Sequence, residues 1–202
     1  DGLHTAAYYI RRYIKKCMEW TGNDKLDYVL LTHWHADHVG TYSGSNPDGS
    51  AGPNTYTRGG VTEILDNLTV TKVIDRGYDF PAHQDLANSN IVANYIKCYQ
   101  YHEQTNGLVR EVFRAGASDQ FTLQRNAAAY GDFVIRNVSV NGNVWTGDGA
   151  GTTSYIFIPE SEFDTSSDGG ATEACPCENS LSATIRLSYG DFDYYTGGDA
   201  SN

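Results

Sequence analysis

Three of the six histidines in this chain lie within six residues, in a segment that reads LLTHWHADHVG. It has the spacing His33-x-His35-x-Asp37-His38. Imidazole nitrogen and carboxylate oxygen are the ligands that zinc prefers, and they also suit manganese and iron. In an extended turn, side chains two positions apart point the same way, so His33 and His35 are predicted to hold one ion. The adjacent Asp37 and His38 then face a second divalent ion, zinc being the first choice for both.

The elements around this segment are suited to presenting ligands. The preceding run LDYVLLT, at 26–32, is short, apolar and β-capable, which predicts a buried strand. Ligands and catalytic groups gather at the carboxyl ends of strands in α/β sheets. Asp199 ends another apolar strand after two glycines (TGGD), as expected of a carboxylate raised off a sheet edge toward an ion. Asp148, in the similar stretch TGDG, is interpreted as part of a structural turn.

The segment THWHADHVG resembles the H-x-H-x-D-H signature of the metallo-β-lactamase superfamily. The opening residues DGL resemble the start of that domain. The stretch ENSLSATIRLSYGDFDYYTGGD, at 178–199, resembles the hydrolase domain of bacterial DNA-internalisation (competence) proteins and their stand-alone relatives. The resemblance implies an α/β fold of the four-layer αββα sandwich type. It also implies a metal-dependent hydrolase whose two ions hold the attacking hydroxide.

Carried onto this sequence, the resemblance makes His33 and His35 ligands of the first metal. It makes Asp37 and His38 ligands of the second metal, and it makes Asp199 the residue that bridges the two ions. Asp37 and His38 are then also the catalytic residues, with Asp37 orienting the nucleophile or moving its proton.

Two departures from the family pattern concern ligands. The superfamily usually supplies a third histidine to the first metal from a middle segment, where this chain has His83 and His102. A predicted helix face carries His102, which favours packing, so His83 is the candidate ligand, with Asn179 or Ser180 lining the site as the alternative. The family's last histidine lies beyond the TGD strand, and this chain ends three residues after Asp199. We therefore expect a fragment of a longer protein, lacking a piece at each end.

Composition limits the classes of partner. The chain has 202 residues, a formal net charge of −11 and 40% apolar residues, which predicts a single globular domain over 1–202. An acidic chain offers no extended basic face to nucleic-acid backbone, yet metal ions can supply the positive charge for a phosphodiester substrate. No apolar run of eighteen residues is present, so no membrane-spanning helix is predicted. Fifteen tyrosines with few lysines are typical of an exported bacterial protein.

Hydrophobic periodicity predicts the other elements. Helices are expected at 4–20, 61–68 and 85–104, and strands at 26–32, 70–75, 108–114, 120–124, 132–140 and 153–158, with a hairpin within 180–199. The first helix is expected to bury a stripe formed by Ala6, Ile10, Tyr13, Ile14, Cys17 and Met18, with its basic residues in solvent. The four cysteines are interpreted as structural, either buried thiols or disulfides.

Three functions are compatible with these observations. The first is a metal-dependent hydrolase of the competence-like branch, with phosphodiesters as the favoured substrate. The second keeps the fold but cleaves a β-lactam, lactone or thioester, which the acidic surface mildly favours. The third is a catalytically silent module with a structural or binding role in an exported protein, and missing ligands would separate it from the two enzymes.

Overall fold

The computed structural model describes residues 4–40, 56–78, 90–155 and 178–200. They form an α/β protein with one parallel sheet and one antiparallel sheet. The helices are α1 (Ala6–Thr21), α2 (Ala36–Val39), α3 (Val61–Asn67) and α4 (Asn90–Asn106). The strands are β1 (Leu26–Leu31), β2 (Val70–Asp75), β3 (Val109–Val112), β4 (Val134–Val140), β5 (Asn143–Trp145), β6 (Thr152–Ser154), β7 (Thr184–Tyr189) and β8 (Phe192–Thr196).

The chain divides into two compact units. The first is drawn from Asp1–Ile74 and Asn88–Glu111, and the second from Asp75–Ala87 and Val112–Asn202. The first unit contains the helices named above and the sheet β1-β2-β3, except for the last residues of β2 and β3. The second contains the sheet with strand order β6-β5-β4-β7-β8. A single domain over the whole chain stays a prediction.

Helix α1 begins and ends where its sequence provides capping groups. The Thr5 hydroxyl accepts a hydrogen bond from the Tyr8 amide at 3.1 Å, which satisfies a backbone donor of the first turn. At the other end Gly22 adopts a φ of 66°, and the Asn23 amide donates to the Met18 carbonyl at 2.8 Å. The first predicted helix is therefore confirmed, with its ends shifted by at most two residues.

The predicted buried stripe of α1 is only partly correct. Of the predicted stripe Met18 is buried, whereas Ile10 and Tyr13 are more than half exposed; Ala7, which lies outside the predicted stripe, is also buried. Arg11, expected in solvent, instead pairs with a carboxylate of α3 at 3.0 Å. Periodicity shows that a helix has an apolar face, but the element that packs against it decides which part of that face is covered.

The core of the first unit centres on β2 and α4. Val73 and Ile74 of β2 are fully buried, as are Tyr95 and Cys98 of α4. Apolar residues on successive positions are typical of strands that are covered on both faces. The strand predicted at 70–75 is confirmed residue for residue. The second long helix is confirmed over Asn90–Asn106, while 85–89 fall outside the described residues.

The second unit is an antiparallel sheet in which β7 pairs with both β4 and β8. The predicted hairpin is confirmed, and it turns at Gly190, whose φ of 56° suits a residue without a side chain. Arg76 and Glu178, both with fully buried side chains, form a bidentate ion pair with N–O distances of 2.7 and 2.5 Å. Removing either partner would leave a buried charge without compensation. The ion pair therefore holds the residue after β2 against the residue that precedes Asn179.

The strand predicted at 120–124 is wrong, since these residues form an irregular segment. Gln120 is 1% exposed, and its side-chain amide accepts a hydrogen bond from the Arg114 amide at 2.7 Å. The same amide donates to the Val112 carbonyl at 2.9 Å. The Gln120 side chain thus satisfies backbone groups of Val112 and Arg114 with which a strand at 120–124 would otherwise pair.

Two further expectations concern membranes and thiols. In the parts of the chain that the structure describes, no helix combines the length and apolar character needed to cross a membrane. Cys17 is partly buried and Cys98 is buried, and both are free thiols, as one of the structural interpretations predicts. Cys175 and Cys177 lie outside the described residues.

Candidate metal centre

The predicted metal loop follows β1 directly. The strand ends at Leu31, and after a short irregular stretch the one-turn helix α2 begins at Ala36. The His35 carbonyl accepts hydrogen bonds from the His38 and Val39 amides at 3.0 and 2.9 Å, which starts the helical turn. This early turn brings side chains from the strand end and from the helix to the same place.

The ring nitrogens of His33 and His35 converge, as their spacing predicts. His33 Nε2 lies 3.1 Å from His35 Nδ1, and the rings meet edge to face with centroids 4.9 Å apart. Two nitrogens bound at about 2.0–2.1 Å to one tetrahedral zinc lie about 3.3 Å from each other. The observed separation therefore fits two ligands of a shared ion.

His38 and Asp37 lie on α2 beside these rings. The centroid of the His38 ring lies 4.1 Å from that of His33, and the His38 side chain is 26% exposed. Asp37 is 78% exposed, with its Oδ2 3.7 Å from His38 Nε2. The sequence spacing predicts that His33 and His35 hold one ion and that Asp37 and His38 hold the other. Because His38 lies close to both His33 and Asp37, the structure does not separate the four residues into these two pairs.

Two neighbours orient the buried histidine. His33 is 1% exposed, and its Nδ1 lies 3.1 Å from the Thr32 hydroxyl oxygen. When Nδ1 donates this hydrogen bond to the Thr32 oxygen, Nε2 carries the lone pair that can bind a metal. Trp34, also 1% exposed, packs against Tyr95 of α4 with ring centroids 5.4 Å apart. Helix α4 therefore supports the loop through the contact between Trp34 and Tyr95.

The end of α2 depends on a close approach of two backbones. Gly40 has a φ of 100°, and a Cβ at this position would lie 2.2 Å from the Cα of Gly60. Gly60, with a φ of 57°, immediately precedes α3 and meets Gly40 in the same way. Only a residue without a side chain fits on both sides, so this contact fastens the end of the metal loop to the start of α3.

An apolar groove of about 700 Å³, not foreseen from the sequence, opens beside Asp37 and His38. No local pattern could have found it, because its walls come from four separate elements: α1, β1, α2 and α3. The side chains that make it apolar include Ile10, Ile14, Leu30, Val61 and Ile64. A concave apolar surface that ends at polar groups has the form of a ligand site.

The other predicted site residues lie in the second unit or outside the described ranges. Asp199 is exposed in the turn after β8, where the Ala200 amide donates to the Gly197 carbonyl at 3.0 Å. Asn179 begins a 3₁₀ turn, and its buried Oδ1 has no hydrogen-bond partner among the residues that the structure describes. His83 falls outside them. The roles of all three at the metal loop stay predictions.

A second group of metal-binding residue types, missed from the sequence, lies in the first unit. Asp66, Cys98 and His102 each place one ligand atom within 4.8 Å of the others. Burial, and secondly the Asp66 carboxylate, raise the pKa of the Cys98 thiol to about 12. Burial also raises the pKa of the Tyr56 hydroxyl, which donates a hydrogen bond to Asp66. The one local signal was the four-residue spacing of Cys98 and His102 on a helix.

No protein-family model matches this chain, and no curated protein matches it significantly. The case for its function therefore comes from the residues and geometry of the metal loop.

Proposed function

We propose that this protein is a metal-dependent hydrolase of the metallo-β-lactamase type, with the four-layer αββα arrangement that the resemblance implies. The observation that carries the proposal is the 3.1 Å approach of His33 Nε2 to His35 Nδ1 at the end of a strand. Imidazoles placed in this way are suited to a shared zinc ion. The proposed ligands are His33, His35 and His83 for the first ion, Asp37 and His38 for the second, and Asp199 as the bridge.

The bound ions would supply Lewis acidity and a water molecule that ionises near neutral pH. The chain itself orients ligands and moves protons. The Thr32 oxygen, 3.1 Å from His33 Nδ1, is placed to accept a hydrogen bond from Nδ1–H, the tautomer that leaves Nε2 free to bind the metal. Asp37, exposed at the mouth of the loop, is suited to accept a proton from the attacking water.

Phosphodiesters are the first substrate class that we propose. The chain has 25 acidic and 14 basic residues, so the metal ions rather than a basic surface must bind the phosphate. A short or single phosphodiester meets this condition better than a long duplex, whose binding depends on many basic contacts.

The apolar groove supports a second candidate, the hydrolysis of a lactone, thioester or β-lactam. An acyl chain could lie along Ile10 and Ile14 while its carbonyl reaches Asp37 and His38. A neutral substrate of this kind also avoids repulsion by a chain with a net charge of −11.

The test compares the wild type with His35→Ala and Asp199→Ala. His4→Ala is the matched control, since His4 is exposed and stacks on Tyr8 with ring centroids 3.7 Å apart. We expect the first two variants to lose the zinc held by the histidine loop and at least about 100-fold in hydrolytic rate, and the control to keep both. A panel of bis-p-nitrophenyl phosphate, nitrocefin and a long-chain lactone assigns the substrate class.

A wild-type protein that binds no metal would contradict the proposal. Zinc that is bound in the wild type and released by His35→Ala, without hydrolysis of any substrate in the panel, would instead identify the silent binding module.

A further inference from the structure

The cluster of Asp66, Cys98 and His102 joins two helices of the first unit. Cys98 and His102 are one turn apart on α4, so their side chains project from the same face. Asp66 of α3 faces them, with its Oδ1 2.8 Å from His102 Nε2. Cys98 is fully buried, and the side chains of His102 and Asp66 are 7% and 4% exposed. Three metal-binding side chains thus meet away from bulk solvent.

The chemistry of this donor set selects the ion. A cysteine that gives up its proton as the ion binds, an imidazole and a carboxylate together suit zinc, whereas magnesium and calcium take oxygen ligands. The three ligand atoms lie within 4.8 Å of one another. Ligands of a tetrahedral zinc lie about 3.3–3.8 Å apart, which these side chains reach by small rotations.

Outer contacts support the same geometry. Asn106 Nδ2 lies 2.8 Å from His102 Nδ1, a placement in which the amide donates to Nδ1 and Nε2 donates to Asp66. With metal bound, a flipped Asn106 amide would accept the Nδ1 proton through its oxygen and leave Nε2 as the ligand. Arg58 binds Asp66 at Oδ2, which directs Oδ1 toward His102. The Tyr56 hydroxyl also donates to Oδ1, which fixes the carboxylate.

An opening leads to the cluster from outside. A cavity of about 440 Å³ has Asp66, His102 and Asn106 in its wall. Among the described residues this cavity borders Asp66 and His102 but not Cys98. It offers an ion the entry path that a metal site needs and leaves room for water as the fourth ligand.

We propose that Asp66, Cys98 and His102 form a mononuclear zinc site that is separate from the histidine loop. Its ion joins α3 to α4, and because it binds the folded state alone it stabilises the first unit by mass action. The site is independent of the hydrolase function, since it shares no residue with the metal loop.

Cobalt(II) titration tests this site specifically. A cysteine thiolate bound to cobalt gives a near-ultraviolet charge-transfer band that histidine and carboxylate ligands do not give, and no cysteine is among the ligands proposed for the loop. We expect the band in the wild type and its loss in Cys98→Ser. The matched controls Cys17→Ser and Cys175→Ser/Cys177→Ser are expected to keep it. A wild type without the band, or a band that survives Cys98→Ser, overturns the proposal.

Zinc content gives a second readout that does not need Cys98→Ser to fold. We expect a His33→Ala/His35→Ala variant to retain about one equivalent of zinc and the full cobalt band. Asn106→Ala is expected to weaken zinc binding about 10–100-fold by removing the support of His102. A His33→Ala/His35→Ala protein that folds but holds no zinc would contradict the second site. An intact cobalt band with no metal at the loop would contradict the hydrolase proposal alone.

Discussion

A single hydroxyl orients the buried histidine of the metal loop. Thr32→Val keeps the size of the side chain but removes the oxygen 3.1 Å from His33 Nδ1. We expect the zinc affinity of the loop to fall about 10–100-fold, because the imidazole loses the partner that selects its tautomer. Calorimetric zinc titration measures the change. Thr105→Val, at an exposed position of α4, is the control, and equal affinities in the two variants would exclude an orienting role for Thr32.

One exposed carboxyl group should report the pairing of the hairpin strands. Hydrogen bonds from Arg186 and then Ser188 lower the pKa of Asp193 below its ordinary value of 3.8. A depressed folded-state pKa stabilises the hairpin above pH 3.8, and this contribution disappears as the pH falls through the folded-state value. We expect a carboxyl NMR titration to give a pKa below 3.8 in the wild type and a higher one in Arg186→Gln. The control Lys15→Gln should leave the Asp193 titration unchanged. An Asp193 pKa that is the same in Arg186→Gln and in the wild type would refute the contact between Arg186 and Asp193.

The contact of Gly40 with Gly60 makes α2 dependent on α3. Gly40→Ala places a Cβ 2.2 Å from the Gly60 Cα at a φ of 100°. We expect a loss of at least about 3 kcal/mol in the free energy of unfolding, from backbone strain and overlap together.

Gly107→Ala separates these two causes. Its φ is 70°, and a Cβ there would meet no atom within 4 Å, so only strain of about 1–2 kcal/mol is expected. Urea unfolding measures both variants. Equal losses would mean that the approach of the two glycines does not determine the stability.

Elements with a strong local signal were predictable, and those that depend on distant partners were not. The strand at 70–75 was found because apolar, β-branched residues mark a buried strand by themselves. The segment at 120–124 alternates polar and apolar residues, but the Gln120 side chain takes up backbone groups of Arg114 and Val112 that a strand there would pair with. Periodicity predicted helix α1. The ion pair between Arg11 and Glu63 helps to decide which face of α1 packs against α3.

Over the full chain, charge and ligand placement favour bound cations. A net charge of −11 creates a field that attracts divalent ions and repels polyanions, which suits metal sites better than an extended nucleic-acid interface. The proposed zinc site at Cys98 draws on the first unit only.

Sequence alone determined which residue types of the histidine loop are able to bind a metal, their position at a strand end and the order of most elements. These depend on residue chemistry and on periodicities of two or three to four residues, which neighbours in the chain express by themselves. Tertiary structure decided that His38 lies beside His33, that α1 and α3 leave a groove, and that Asp66 meets Cys98 and His102. The groove and the cluster of Asp66, Cys98 and His102 bring together residues from different elements. The position of His38 beside His33 depends on the helical turn that begins at His35. Burial and contact between such residues follow from packing, which a local pattern does not encode.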